Sequence, residues 1–269
     1  MLKLENIHKT FNRGTVNEKH ALNGLNLHLK PGDYVTVIGS NGAGKSTMLN
    51  AVAGVWPVDG GRILLDGEDI TGKPEHKRAV NIGRVFQDPM MGTAADMWVE
   101  ENLDLAYLRG EKRGLRWAVT KGDREFFREQ LRGLGLGLEE RMTTKVGMLS
   151  GGQRQALTLL MASMKKPKLL LLDEHTAALD PATAAKVLEI TDRIVEENQL
   201  TTLMITHNMQ SALDLGSRTL MMYDGRIVFD AKGKERESLT VPDLLVLFRE
   251  AAGKALDNDR MMLSADGEL

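Results

Sequence analysis

The stretch Gly39-Ser40-Asn41-Gly42-Ala43-Gly44-Lys45-Ser46-Thr47 decides the fold. It fits G-x-x-x-x-G-K-[ST] at Gly39, Gly44, Lys45 and Ser46. On its N-terminal side, Tyr34-Val35-Thr36-Val37-Ile38 is rich in β-branched residues and reads as a strand. On its C-terminal side, Met48 to Ala53 reads as a helix closed by Gly54. Strand, glycine-rich loop, helix is the context in which this spacing holds phosphate. Glycines let backbone amides converge on an anion without Cβ clashes, and the helix start adds partial positive charge. Lys45 is expected to reach the β- and γ-phosphates, and the Ser46 hydroxyl to ligate magnesium.

The 269 residues suffice for one large or two modest domains with a proper core. A formal net charge of -2 argues against a molecule that binds polyanions through bulk charge. There is no cysteine, so disulfide and thiol chemistry are excluded, as suits a reducing compartment. The N-terminus, Met1-Leu2-Lys3-Leu4-Glu5, carries no basic segment leading into an apolar run, so no secretory signal is expected. No apolar stretch reaches the roughly 18 to 20 residues of a membrane span. Work at a membrane would require docking to a protein that spans it.

Either side of the loop, Leu2 to Ile7 and Leu25 to Leu29 alternate apolar and polar residues as half-buried strands do, the second ending at the Pro31-Gly32 turn. Arg62 to Leu65 and Ile82 to Phe86 are further strands. From Thr93 to Lys145 the character becomes helical and charged. The segment from Arg109 to Arg116, with Lys112 and Arg113, reads as a solvated basic face or a contact for protein or lipid headgroups. Gly133 to Gly137 is expected to be a flexible turn. Ser150-Gly151-Gly152-Gln153 opens a helix to about Met164. Lys168 to Leu172, nearly all leucine, reads as a fully buried parallel strand. A helix begins at Pro181, and Thr201 to Thr206 is another buried strand. Asp224-Gly225 marks a hairpin, Val241 to Ala252 a closing amphipathic helix, and the residues after Asp257 a loose tail.

Acids at the carboxyl end of a buried strand lie on the ligand edge of an open α/β sheet. Asp173 is therefore expected to hold magnesium and Glu174 to act as general base toward water. Gln87 and His207 end strands on the same edge. Ser150-Gly151-Gly152-Gln153 is a second glycine-rich helix start, hence a second anion-binding dipole. One nucleotide has no evident need of two such sites from one chain, but two chains arranged head to tail could each supply one.

Taken together, these segments resemble the ATP-binding subunit of an ATP-binding cassette transporter, over roughly residues 2 to 232. Gly39 to Thr47 is similar to the Walker A loop, Gln87 to the Q-loop glutamine and Leu149 to Gln153 to the LSGGQ signature. Leu169 to Asp173 is similar to Walker B, with Glu174 as catalytic glutamate. Ala178-Leu179-Asp180 resembles the D-loop and His207 the switch histidine. The resemblance implies an α/β fold of the P-loop NTPase class: a RecA-like core with an antiparallel β-subdomain, plus an inserted helical subdomain. The expected boundaries are 1–87 and 164–255 for the core, 88–163 for the helical insertion and 256–269 for the tail.

It also implies ATP and Mg2+, the latter at Ser46, Gln87 and Asp173, and catalysis by Lys45, Gln87, Glu174 and His207. Nucleotide contacts would come from Phe11, stacked on adenine, from Gly39, Ser40, Asn41, Gly42, Ala43, Gly44, Lys45, Ser46 and Thr47, and from Asp180. In a head-to-tail homodimer, Ser150, Gly151, Gly152 and Gln153 would reach the nucleotide of the other chain. Transmembrane permease subunits are the implied partners, with a solute-binding protein acting indirectly, on the cytoplasmic face of the membrane. Direct nucleic-acid contact is not expected.

Two positions depart from the family pattern. His175 stands where proline is most usual and reads as a group titrating near neutrality or, preferably, as packing. The helix after Gln153 lacks the later arginine of the common importer pattern. Asp173 to Asp180, Gly54 to Pro57 and Gln87 to Thr93 resemble a bacterial importer subgroup associated with tryptophan/tyrosine transport, related to branched-chain amino-acid importers. The separate chain also favours an importer over exporters that fuse the cassette to membrane spans. Cassette proteins acting on the ribosome or nucleic acid generally carry two cassettes or a long coiled coil. Here about a hundred residues, without sustained heptads, separate Walker A from the signature. No Asn-Lys-x-Asp motif points to guanine.

Overall fold

The computed structural model describes residues 1–111, 119–251 and 253. Ten strands are present among them: β1 (Leu2–Phe11), β2 (Lys19–Leu29), β3 (Tyr34–Gly39), β4 (Gly60–Leu65), β5 (Glu68–Asp69), β6 (Ile82–Val85), β7 (Leu169–Asp173), β8 (Thr202–Ile205), β9 (Arg218–Tyr223) and β10 (Arg226–Lys232). The helices are α1 (Lys45–Ala53), α2 (Glu75–Arg78), α3 (Val99–Tyr107), α4 (Lys121–Arg132), α5 (Gly151–Ser163), α6 (Pro181–Asn198), α7 (Met209–Asp214), α8 (Lys234–Glu237) and a closing helix, α9 (241–251).

The strands form two sheets. One is antiparallel, in the order β2-β1-β4-β5; the other has the order β10-β9-β3-β8-β7-β6. Within the second, β3 runs parallel to β8 and β9, and β7 parallel to β6 and β8. The hairpin at Asp224-Gly225 returns β10 antiparallel, with both turn residues at positive φ (45° and 70°) as a type I′ turn requires.

Strand alternation divides the core. Leu169, Leu171, Leu203 and Ile205 face one side of the large sheet, against β1, β2 and α1. Leu170, Leu172, Met204 and Tyr34 face the other, against α3 to α6. The continuous leucine run of β7 is thus buried on both faces, as a strand in a covered parallel sheet must be. The helices α3, α4 and α5 lie in the chain between β6 and β7 and share one apolar core with the sheet and α6.

Three details differ from the sequence reading. Arg109 is not on a solvated face: its Nη2 donates to the Ala162 carbonyl at 3.3 Å and its Nε is buried. Lys112, Arg113 and Arg116 lie outside the described residues, as does the tail 256–269. Gly133 to Gly137 does form a turn, but it is pinned: Leu134 and Leu138 are buried, and Arg193 bonds the Gly133 carbonyl. Finally, β1 and β2 run longer than their alternation suggests, through β-bulges that interrupt the period of two.

Among the described residues, no helix is long and apolar enough to cross a membrane.

Candidate active site

The parallel strands bring their carboxyl ends to one edge. β3 is central and feeds the glycine loop into α1. Two glycines there are required by close approach. A Cβ at Gly39 would lie 2.4 Å from the Met222 carbonyl oxygen, and one at Gly44 2.4 Å from that of Ala21. Gly44 caps α1 with φ at 98° and offers no side-chain acceptor to the helix amides, so the helix start is left open to an anion.

Lys45 is 5 % exposed. Its ammonium donates to the carbonyls of Gly39 (2.7 Å) and Ser40 (3.0 Å), bonding within the loop itself. Burial pushes its pKa down, while Glu174 and Asp173 pull it up. A buried cation held only by carbonyl oxygens, beneath an uncapped helix start, is a site suited to phosphate.

A cleft of about 470 Å³ opens over this loop. Its floor includes Asn41, Gly42, Gly44, Lys45, Ser46 and Thr47. Its walls include Phe11, Gln87, Glu174 and His207. Phe11 meets Trp56 edge to face, with ring centroids 4.9 Å apart, and Lys9 lies 5.4 Å from its ring centre. Gln87 is exposed and lies at the junction of this cleft with a second groove.

Asp173 and Glu174 point to different tasks. Asp173 Oδ1 accepts from the Ser46 hydroxyl at 3.3 Å, and Oδ2 lies 3.6 Å from Arg84 Nη2. Burial raises the Asp173 pKa, opposed by the Arg84 charge. Glu174 sits at positive φ (48°), with its amide donating to the Ile205 carbonyl at 3.0 Å. Its Oε2 is 2.6 Å from His207 Nε2.

A hydroxyl and a carboxylate already in contact beside the phosphate loop form the hard-oxygen donor set that Mg2+ takes, with water and phosphate oxygens completing its shell. No group of three or more His, Cys, Asp or Glu side chains among the described residues forms an all-protein metal cage. The residues fit a metal held jointly by protein and nucleotide.

The remaining predicted residues lie elsewhere. Ser150 caps α5, accepting from the Gln153 amide at 3.2 Å, while Gln153 Oε1 accepts from the Ser150 amide at 3.2 Å. Gln153 also accepts from Arg141 (3.1 Å) and donates to the Leu136 carbonyl (3.2 Å), so its side chain is engaged within its own chain. Ser150 and Gly151 are exposed, whereas Gly152 is buried against Thr183. Asp180 caps α6, its carboxyl held below the usual range by bonds from Thr183. None of these lines the cleft of the same chain.

His175 is 1 % exposed, and burial pushes its pKa down to about 4. Titration near neutrality is thereby corrected, and the packing role stands. Sequence reading missed Arg84, Trp56 and Lys19, the last of which also lines the cleft. The one available signal was Arg84, a charged residue inside a short strand that a parallel sheet buries.

Such a loop, with a carboxylate pair and a histidine on one sheet edge, defines a phosphate-loop nucleotide hydrolase. Comparison with known proteins narrows the class. A family model described as ABC transporter matches residues 22–177. A tyrosine transport ATP-binding protein of Clostridioides difficile (strain R20291) is 44% identical over 251 residues, covering 93% of this chain and all of the relative. The thiamine import ATP-binding protein ThiQ of Yersinia pseudotuberculosis (serotype I, strain IP32953) is 34% identical, covering 86% of this chain and 89% of the relative. Among solved structures, a dimeric post-hydrolysis state of the ATP-binding cassette MJ0796 bound to ADP and Pi superposes with a TM-score of 0.74 at 29% identity, covering 86% of this chain and 98% of that one. The ADP conformation of the cassette MJ1267 gives 0.74 at 28%, covering 92% and 98%. The chain belongs to the ABC transporter family, as an ATP-binding and ATP-hydrolysing cassette.

Proposed function

We propose that this cassette powers a bacterial uptake transporter for a small solute, an amino acid of aromatic or related type, through separate permease subunits. The observation that carries the hydrolytic part is the Glu174–His207 contact of 2.6 Å in the cleft that also contains Lys45. Glu174 takes the proton of the attacking water, and His207 holds the carboxylate and faces the charge that develops on the phosphoryl oxygens. Lys45 trades its loop carbonyls for the β- and γ-phosphates. Ser46 and Asp173, with Gln87, are the residues that would hold Mg2+, which when bound neutralises phosphate charge. Phe11 offers its ring to adenine.

Ser150, Gly151 and Gly152 lie outside their own chain's cleft, which favours a head-to-tail homodimer in which each signature helix faces the partner's nucleotide. Asp180 belongs to the same surface. The helices α3, α4 and α5 belong to the unit that would pass closure to the permease, at the cytoplasmic face of the membrane, with a solute-binding protein delivering cargo on the far side. The uptake direction rests on the likeness to the thiamine import relative, and the amino-acid cargo on the likeness to the tyrosine transport relative over 93% of this chain.

The test has two parts. In purified protein, Glu174→Gln should leave nucleotide binding intact and lower turnover by about 10²-fold or more, whereas Lys45→Ala should weaken binding. Normal turnover by Glu174→Gln would overturn the assignment of the base. Co-purification of the tagged protein from native membranes should bring a polytopic membrane protein. Ribosomal proteins or nucleic acid in its place would sink the transport reading.

A further inference from the structure

Arg84 lies in β6 opposite Leu171 of β7, with its side chain only 12% exposed. Its Nε is buried without a hydrogen-bond partner. The guanidinium carbon is 4.4 Å from the centre of the Phe86 ring; among the described residues the carboxylate within ion-pair distance is Asp173, at 3.6 Å, with the Glu75 charge acting on Arg84 from the same groove. Removing a guanidinium from water costs several kcal/mol, which a pair recovers through short, forked hydrogen bonds. The chain makes such a pair elsewhere: Arg124 grips Glu100 through two bonds of 2.9 and 2.8 Å. The Arg84–Asp173 contact has neither the length nor the fork. A structural ion pair would not be built this way.

The Asp173 carboxylate faces two ways. One oxygen meets the Ser46 hydroxyl and the other meets Arg84. Ser46, Arg84, Gln87 and Asp173 also line one groove of about 750 Å³ beside the phosphate loop, so the guanidinium and a cation at Ser46 and Asp173 would share one space. Two cations sharing one carboxylate repel, and Arg84 and Asp173 are themselves largely shielded from water, with side chains 12% and 14% exposed, while Ser46 is open to solvent.

The geometry points to Arg84 as a positioning residue that supplies the positive charge facing Asp173 when no divalent cation does, and that thereby weakens the site's hold on the cation. The inference rests on the reading of Ser46 and Asp173 as the metal-holding oxygens. In the nucleotide-free protein Arg84 holds one oxygen of the carboxylate while the other meets Ser46. It also sets a threshold of Mg2+ below which nucleotide is held weakly.

The experiment is calorimetric titration of ADP into the nucleotide-free, full-length protein at graded Mg2+ concentrations, for the native chain, Arg84→Met and Arg84→Lys. The Mg2+ concentration at which ADP affinity half-rises should fall by about three-fold or more in Arg84→Met. It should stay within about two-fold in Arg84→Lys, which keeps the charge. The nucleotide-free Arg84→Met protein should also melt lower than the native chain, because Asp173 is left half-dry without a cation, and Mg2+ with ADP should narrow that gap. Should the Met variant not fold, Arg84→Gln takes its place with the same expectation. A midpoint unchanged or raised in the uncharged variant, with the native chain responding to Mg2+, overturns the inference alone. ADP binding indifferent to Mg2+ in the native chain overturns the metal-site reading and the inference with it.

Discussion

His207 Nε2 lies 2.6 Å from Glu174 Oε2, yet the two residues belong to different strand ends. β7 and β8 are parallel neighbours in register, with Asp173 opposite Ile205. The Glu174 amide donates to the Ile205 carbonyl, and the chain leaves both strands toward the same side of the cleft. Sheet register brings Glu174 and His207 together.

If His207 acts through this contact, His207→Ala should lower kcat by about 10²-fold while nucleotide affinity changes less than about three-fold. Steady-state turnover and equilibrium binding measured on one preparation decide it. A parallel loss of binding would make His207 a nucleotide contact instead of a partner of the base.

The buried His175 makes a stability prediction with a definite sign. Thr191 Oγ1 donates to the Val187 carbonyl at 2.8 Å, so the 3.0 Å contact with His175 Nε2 must have the histidine as donor. Nδ1 is buried and unpartnered, so a second proton there would find no acceptor, which favours the neutral ring. Its folded pKa of about 4 lies below the ordinary 6.5. The neutral form is the one the fold accepts, so its contribution is whole above pH 6.5 and is lost as pH falls toward 4. At pH 5 the native chain should lose about 2 kcal/mol through this group, a loss absent in His175→Gln. Denaturant titrations of both proteins at pH 7.5 and pH 5 measure it; equal pH slopes would refute it.

Gly152 separates a structural demand from a nucleotide contact. A Cβ there would lie 2.2 Å from Thr183 Cγ2, where α5 meets the start of α6. Gly152→Ala should cost about 1 to 3 kcal/mol by overpacking, and Thr183→Ser, which deletes that methyl, should restore most of it. A double variant as unstable as the single one would show that the cost arises from another contact.

Local signals carried much of this molecule. The strand–loop–helix around Lys45, the leucine run of β7, the proline at the start of α6 and the Asp224-Gly225 hairpin each form where the residues predict. The extent of β1 and β2 was not legible, because bulges answer to the partner strand and break the period. Arg109 misled for a related reason: a basic run says nothing of which side chain turns inward to the Ala162 carbonyl.

The site divides along the same line. Residue types and short spacings alone determined that a strand, a glycine-rich loop and a helix follow one another around Gly39 to Thr47, that acids follow a buried strand and that a second glycine-rich helix start exists, because backbone sterics and burial act over a few neighbours. Tertiary structure alone decided that Glu174 meets His207, that Lys45 rests on its own loop carbonyls, that Arg84 faces Asp173 and that His175 is sealed from water. Those facts depend on strand order, register and the desolvation they impose, and no spacing along a chain encodes the distance between residues that only a sheet brings together.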